Sequence, residues 1–125
     1  IIKQILLNYF DEIHGIIHCS GGAQTKCLGF GEGIHYIKNN LFEIPPLFKM
    51  IQEESQTSWR EMYKVFNMGH RMEVVVPKAI AQNIIEISKS FNVEAQIIGV
   101  CETASINKVS IVSPYGEFVY EKDSL

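Results

Sequence analysis

His18 ends a short apolar run, Gly15-Ile16-Ile17-His18, and Cys19-Ser20-Gly21-Gly22-Ala23 comes directly after it. Histidine exchanges a proton near neutral pH and is a common general acid–base group. Two consecutive glycines can take positive φ and bring their N–H groups close to a ligand, which suits an oxyanion or a phosphate. A short apolar run bounded by glycine reads as a buried strand, here Ile16 to Cys19. If a helix begins at Gln24, the loop also lies at a helix N-terminus, where anions are favoured. His18, Ser20, Gly21 and Gly22 are therefore a candidate anion-binding edge. The plain alternative is a strand-to-helix turn with a core histidine, and the spacing alone leaves both open.

The remaining chemistry-bearing residues are less organised. Asn67 and Gly69 come after an apolar helical pattern; they either end a helix, with Gly69 left-handed, or line a cleft. Glu61 stands three residues after Ser58, the spacing of a capping box, and is as good a cap partner as a functional carboxylate. Arg71 could meet a phosphate or simply flank a strand. His14 and His18 would share a strand face, yet no third ligand stands at a sensible spacing, so no metal site is expected. His35 and His70 have no companion motif. Cys19, Cys27 and Cys101 form no CxxC pair and read as reduced thiols of a cytosolic protein.

Several elements must position these groups. Ile1, Ile2, Ile5, Leu6, Tyr9, Phe10 and Ile13 recur at helical spacing and predict a helix from Ile1 to Ile13 with one buried stripe. Gln24 to Phe30 predicts a short helix, Ile34 to Ile37 a weak strand, and Pro46 the first turn of another helix. A helix starts near Ser58, with Tyr63 and Phe66 as core. Met72 to Val76 reads as a central strand, and Pro77 opens a helix with Ala79, Ile80, Ile84, Ile87 and Phe91 inward. Ala95 to Val100 is the next strand. Val109 to Val112 and Phe118 to Tyr120 form a hairpin about Pro114-Tyr115-Gly116. This mixture predicts a layered α/β or α+β domain.

With 125 residues the chain is one domain by size, long enough for a proper core. A net charge of −3 with no basic block argues against a general nucleic-acid binder. No apolar run approaches the ~18 residues of a membrane span. The chain opens inside a helical pattern without methionine, the expectation being a piece of a longer protein.

Two segments carry a resemblance. His18-Cys19-Ser20-Gly21-Gly22 resembles an H-I-T-G-G-G signature, and Glu61-Met62-Tyr63 with Phe66-Asn67-Met68-Gly69 resembles E-M-Y-x-x-F-N-M-G. Both, with Pro46, Phe48 and Ile98-Gly99 in the same order, are similar to the C-terminal domain of the aminoimidazole ribonucleotide synthetases, the phosphoribosylformylglycinamidine cyclo-ligases. Ala23 departs from the third glycine, and Lys26-Cys27 departs from a Glu-Asn pair.

The resemblance implies a three-layer α/β/α domain with a mixed sheet and partial ferredoxin-like topology. It implies ATP-dependent closure of formylglycinamidine ribonucleotide to aminoimidazole ribonucleotide in purine biosynthesis. His18 would be catalytic, and Ser20, Gly21, Gly22, Asn67 and Gly69 would bind the small-molecule substrate. ATP and magnesium would sit mainly on an N-terminal domain that residues 1–125 do not resemble, in a cytoplasmic homodimer. A fragment carrying only this domain would be inactive by itself. The alternative is a stand-alone, non-catalytic ligand-binding or interaction module of the same fold.

Overall fold

The structure is a computed structural model and describes residues 1–122. It is mixed α/β, as the pattern predicts, with helices α1 (Ile2–Tyr9), α2 (Pro46–Ser55), α3 (Trp59–Val65) and α4 (Lys78–Ser90). Strands β1 (Gly15–His18) and β3 (Met72–Val75) form a two-stranded sheet. Strands β2 (Ile34–Lys38), β4 (Gly99–Thr103), β5 (Lys108–Ser113) and β6 (Gly116–Glu121) form a mixed sheet of order β4-β2-β5-β6. Among the described residues no helix is long and apolar enough to cross a membrane.

Contacts divide the chain into two compact units, Ile1–Ile16 with Glu73–Ile97, and Ile17–Met72 with the segment from Ile98 onward. In the first, α1 and α4 contact each other and Ile5 is buried. The expected stripe does not run to Ile13. The α-helix ends at Tyr9, and Phe10–Glu12 tighten into a 3-10 turn that leaves Phe10 71% exposed. The tighter winding rotates Phe10 out of the helical phase. Phe91, expected on the inner face of α4, lies beyond the last helical turn and is exposed.

The second unit holds the larger core: Ile17, Leu28, Tyr36, Met62, Tyr63, Val109, Ile111 and Tyr120 are all buried, and Phe66 packs against them. Here two strand expectations are corrected. Ile34 to Ile37, read as weak, is an interior strand: β2 pairs antiparallel with β4, Tyr36 opposite Cys101, and parallel with β5, Tyr36 beside Val109. Met72 to Val76, read as central because of its β-branched run, belongs to the two-stranded sheet instead. Propensity reports a pleated, half-buried surface, not a place in the sheet order. The strand expected from Ala95 begins only at Gly99, where a side chain would collide with the Ile37 carbonyl.

Capping sets the helix that leads to the site. Pro46 opens α2 as the first residue. Ser58 caps α3, its hydroxyl accepting the Glu61 N–H at 3.3 Å. The helix stops at Val65, earlier than Asn67, because the backbone is already extended at Phe66. The β5–β6 hairpin turns as predicted, Ser113 opposite Gly116, with Tyr115 stacked on Trp59 at 3.8 Å.

Candidate functional site

The loop begins from strand alternation. Ile17 and Cys19 point inward and are buried, so His18 between them is exposed. That excludes the core-histidine reading. The chain then reverses: the Ala23 N–H donates to the Ser20 carbonyl at 2.9 Å. Gly22 has φ 85° and ψ −9°, the values of the third residue of a type II turn, which favours glycine there. Ala23 comes next at φ 44°, a left-handed conformation unusual for alanine, with its methyl group buried.

Ala23–Gly29 then winds as a 3-10 helix, where an ordinary short helix was expected. Seven residues of 3-10 winding supply no macrodipole worth invoking, so a helix terminus gives this loop no affinity for anions. The backbone amides remain. Ser20 N–H bonds the His18 carbonyl, and Thr25 N–H and hydroxyl both bond the Gly22 carbonyl at 2.8 Å. The N–H groups of Gly21 and Gly22 make no hydrogen bond among the described residues, and both glycines are exposed.

Beneath the loop lies a polar bracket. Gln24 is fully buried, and its Nε2 donates to the Asn67 carbonyl at 2.8 Å. Lys38, 3% exposed, donates from Nζ to the Gln24 carbonyl at 2.7 Å and to its Oε1 at 3.0 Å. Asn67 Nδ2 reaches the Cys19 carbonyl at 3.5 Å, and its Oδ1 accepts the Gly69 N–H at 2.9 Å. Gly69 has φ 88°, the left-handed conformation expected of it, and a side chain there would press on Pro45.

His70, also buried, donates its backbone N–H to the Asn67 carbonyl at 2.9 Å. Its ring Nε2 accepts the Phe42 N–H at 3.3 Å, which assigns the ring proton to Nδ1. Burial, and then the nearby Lys38 charge, push His70 down to about 4, so the ring is neutral across the physiological range. A buried polar set of this kind is stable only when its members find partners, and here the hydrogen bonds run without a gap from Lys38 to Cys19.

The structure thus brings Ser20, Gly21, Gly22 and Asn67 together through Cys19 and Gln24, and ties Gly69 to Asn67. His18 lies on the strand that delivers the loop. Reading motifs missed Gln24, Lys38 and His70. One signal was available: Lys38 falls in period-2 step with Tyr36, a buried strand position, and a lysine placed there must find acceptors.

The family model described as AIR synthase related protein, C-terminal domain, matches residues 1–111. The chain belongs to this family. Similar curated proteins carry the name phosphoribosylformylglycinamidine cyclo-ligase. That of Methanococcus vannielii is 40% identical over 91 residues, 73% of this chain and 26% of the relative. The protein of Methanopyrus kandleri is 33% identical over 78% of this chain and 28% of its own length. The Methanocaldococcus jannaschii protein is 34% identical over 81% of this chain and 29% of its own. The chain therefore spans 26 to 29% of these relatives' length. The AIR synthase C-terminal match accounts for both motif segments and includes β1 to β4 entire.

Proposed function

We propose that this chain is the C-terminal, substrate-side domain of a phosphoribosylformylglycinamidine cyclo-ligase, acting in ATP-dependent ring closure in purine biosynthesis. The family match over residues 1–111 carries the reading. In that reaction ATP phosphorylates the amide oxygen of formylglycinamidine ribonucleotide, an amidine nitrogen attacks the activated carbon, and phosphate leaves. Most of the catalysis is positioning and charge stabilisation.

In this proposal ATP and its magnesium are held by an N-terminal domain, and the whole enzyme is a cytoplasmic homodimer. Among the described residues no three His, Cys, Asp or Glu side chains group suitably to hold a metal. Gly21 and Gly22 offer N–H groups to the substrate, exposed His18 faces it from the strand end, and Asn67 with Gly69 keeps the loop in place.

Full-length enzyme carrying Gly22→Val tests this. Valine at φ 85° is strained by about 1–3 kcal/mol, although no atom lies closer than 3.6 Å to the new Cβ. The expected result is a loss of kcat/KM with ATP affinity near normal. His18→Asn should lower activity with little change in melting temperature, since the side chain is exposed. Normal kinetics in both variants overturn the loop's assignment to the substrate.

A further inference from the structure

Lys38 is the last residue of β2, where it pairs with Gly99 of β4 and Ile111 of β5. Neighbours on both sides therefore fix its backbone. Its side chain is buried, and an ammonium taken out of water is costly unless hydrogen bonds replace the solvent. Methionine or leucine would fill this inward position at lower cost, so the charge is explained by what it holds. It holds Gln24 twice, by the main-chain carbonyl at 2.7 Å and by the side-chain Oε1 at 3.0 Å. Two bonds from one ammonium fix the backbone and the side-chain torsions of residue 24 together.

That grip reaches the loop from both ends. Gln24 directly follows Ala23, whose φ of 44° is unusual for a residue with a Cβ. Such a conformation persists only where its surroundings over-determine it, and the pinned Gln24 adjoins it. Gln24 Nε2 also donates to the Asn67 carbonyl, and the Asn67 side chain extends the line to the Cys19 carbonyl, one residue before Ser20.

We infer that Lys38 is a positioning residue for the substrate: it touches no substrate itself, and through Gln24 it holds both ends of the Ser20-Gly21-Gly22 loop in the shape that binds. The inference rests on the reading that this loop faces the substrate, and it adds a residue outside both motif segments.

The test is Lys38→Met in full-length enzyme, with the ribonucleotide and ATP varied separately. The ribonucleotide KM should rise about tenfold while the ATP KM stays within about twofold. Lys38→Met also leaves buried oxygens of Gln24 short of a donor, so it should melt lower. The double variant Lys38→Met with Gln24→Leu removes that side-chain oxygen. Its residue-24 carbonyl keeps the Cys27 thiol as donor at 3.6 Å, and the Asn67 carbonyl keeps the His70 N–H at 2.9 Å. The double variant should therefore melt above Lys38→Met, yet retain the raised ribonucleotide KM. Hydrogen exchange of the Ala23 and Thr25 amides, both bonded within the turn, should quicken in it. A merely structural lysine would lower the amount of folded enzyme and leave both KM values alone. That pattern, or a normal ribonucleotide KM in the double variant, overturns the inference. Its failure differs from failure of the substrate reading: Gly22→Val enzyme with normal kcat/KM removes the loop's substrate role, while impaired Gly22→Val kinetics beside a normal Lys38→Met KM remove the positioning role alone.

Discussion

The bracket of Lys38, Gln24, Asn67 and His70 and the loop of Ser20, Gly21 and Gly22 are neighbours in hydrogen bonding but opposites in environment. In the bracket, buried donors and acceptors are spent on one another. In the loop, two exposed amides have no protein partner among the described residues. The contrast separates two jobs. Polar groups that must not move are buried, where an unmade bond is expensive. On the proposed function, the loop's amides stay in water until a ligand arrives, supported from behind by the rigid set.

Acid should attack the bracket and leave the loop alone. His70 is held near pKa 4 in the folded chain against about 6.5 unfolded, so the folded state prefers the neutral ring. Its contribution is fully present above about pH 6.5 and is lost as pH falls towards 4, on the order of 3 kcal/mol in all. Imidazolium would also have no lone pair for the Phe42 N–H. Urea midpoints between pH 7 and pH 4 measure the loss, and His70→Gln should flatten the part due to this ring.

A smaller effect is expected from Gln24→Leu. It keeps the side-chain volume near its native value but removes one acceptor from Lys38 and the donor to Asn67. The expected cost is about 2 kcal/mol in equilibrium unfolding. A change near zero would mean that the bracket does not support the loop.

The smallest effect belongs to the loop. Ser20→Ala removes an exposed hydroxyl whose partner is the half-buried Lys26. Stability should stay within about 0.5 kcal/mol of the parent. A larger loss would show that the loop is structural after all.

The same division separates what the sequence makes legible from what it hides. Short-range chemistry was legible: the Ser58 cap, Pro46 at a helix start, the left-handed Gly69 and the hairpin about Pro114-Tyr115 depend only on neighbours in sequence. The glycine pair was legible as a turn, because only certain residues accept the φ of Gly22. The interior place of β2 was not, since it is decided by partners more than 60 residues away. Nor was the bracket, whose members come from positions 24, 38, 67 and 70 and share no motif. His70 lacked a companion in sequence because its partners are main-chain groups, which any residue can supply.

The position of β2 has a consequence for the order in which the protein is made. Lys38 ends this strand, and both neighbours of the strand, β4 and β5, are synthesised after residue 98. When a ribosome has delivered Met68, every residue of the loop exists, together with Gln24, Lys38 and Asn67, but β2 has neither flank. Long-range parallel pairing is slow to form even in a complete chain. The loop is therefore encoded early and assembled late: until β4 and β5 emerge, the lysine that anchors its support has no sheet to hold it inside.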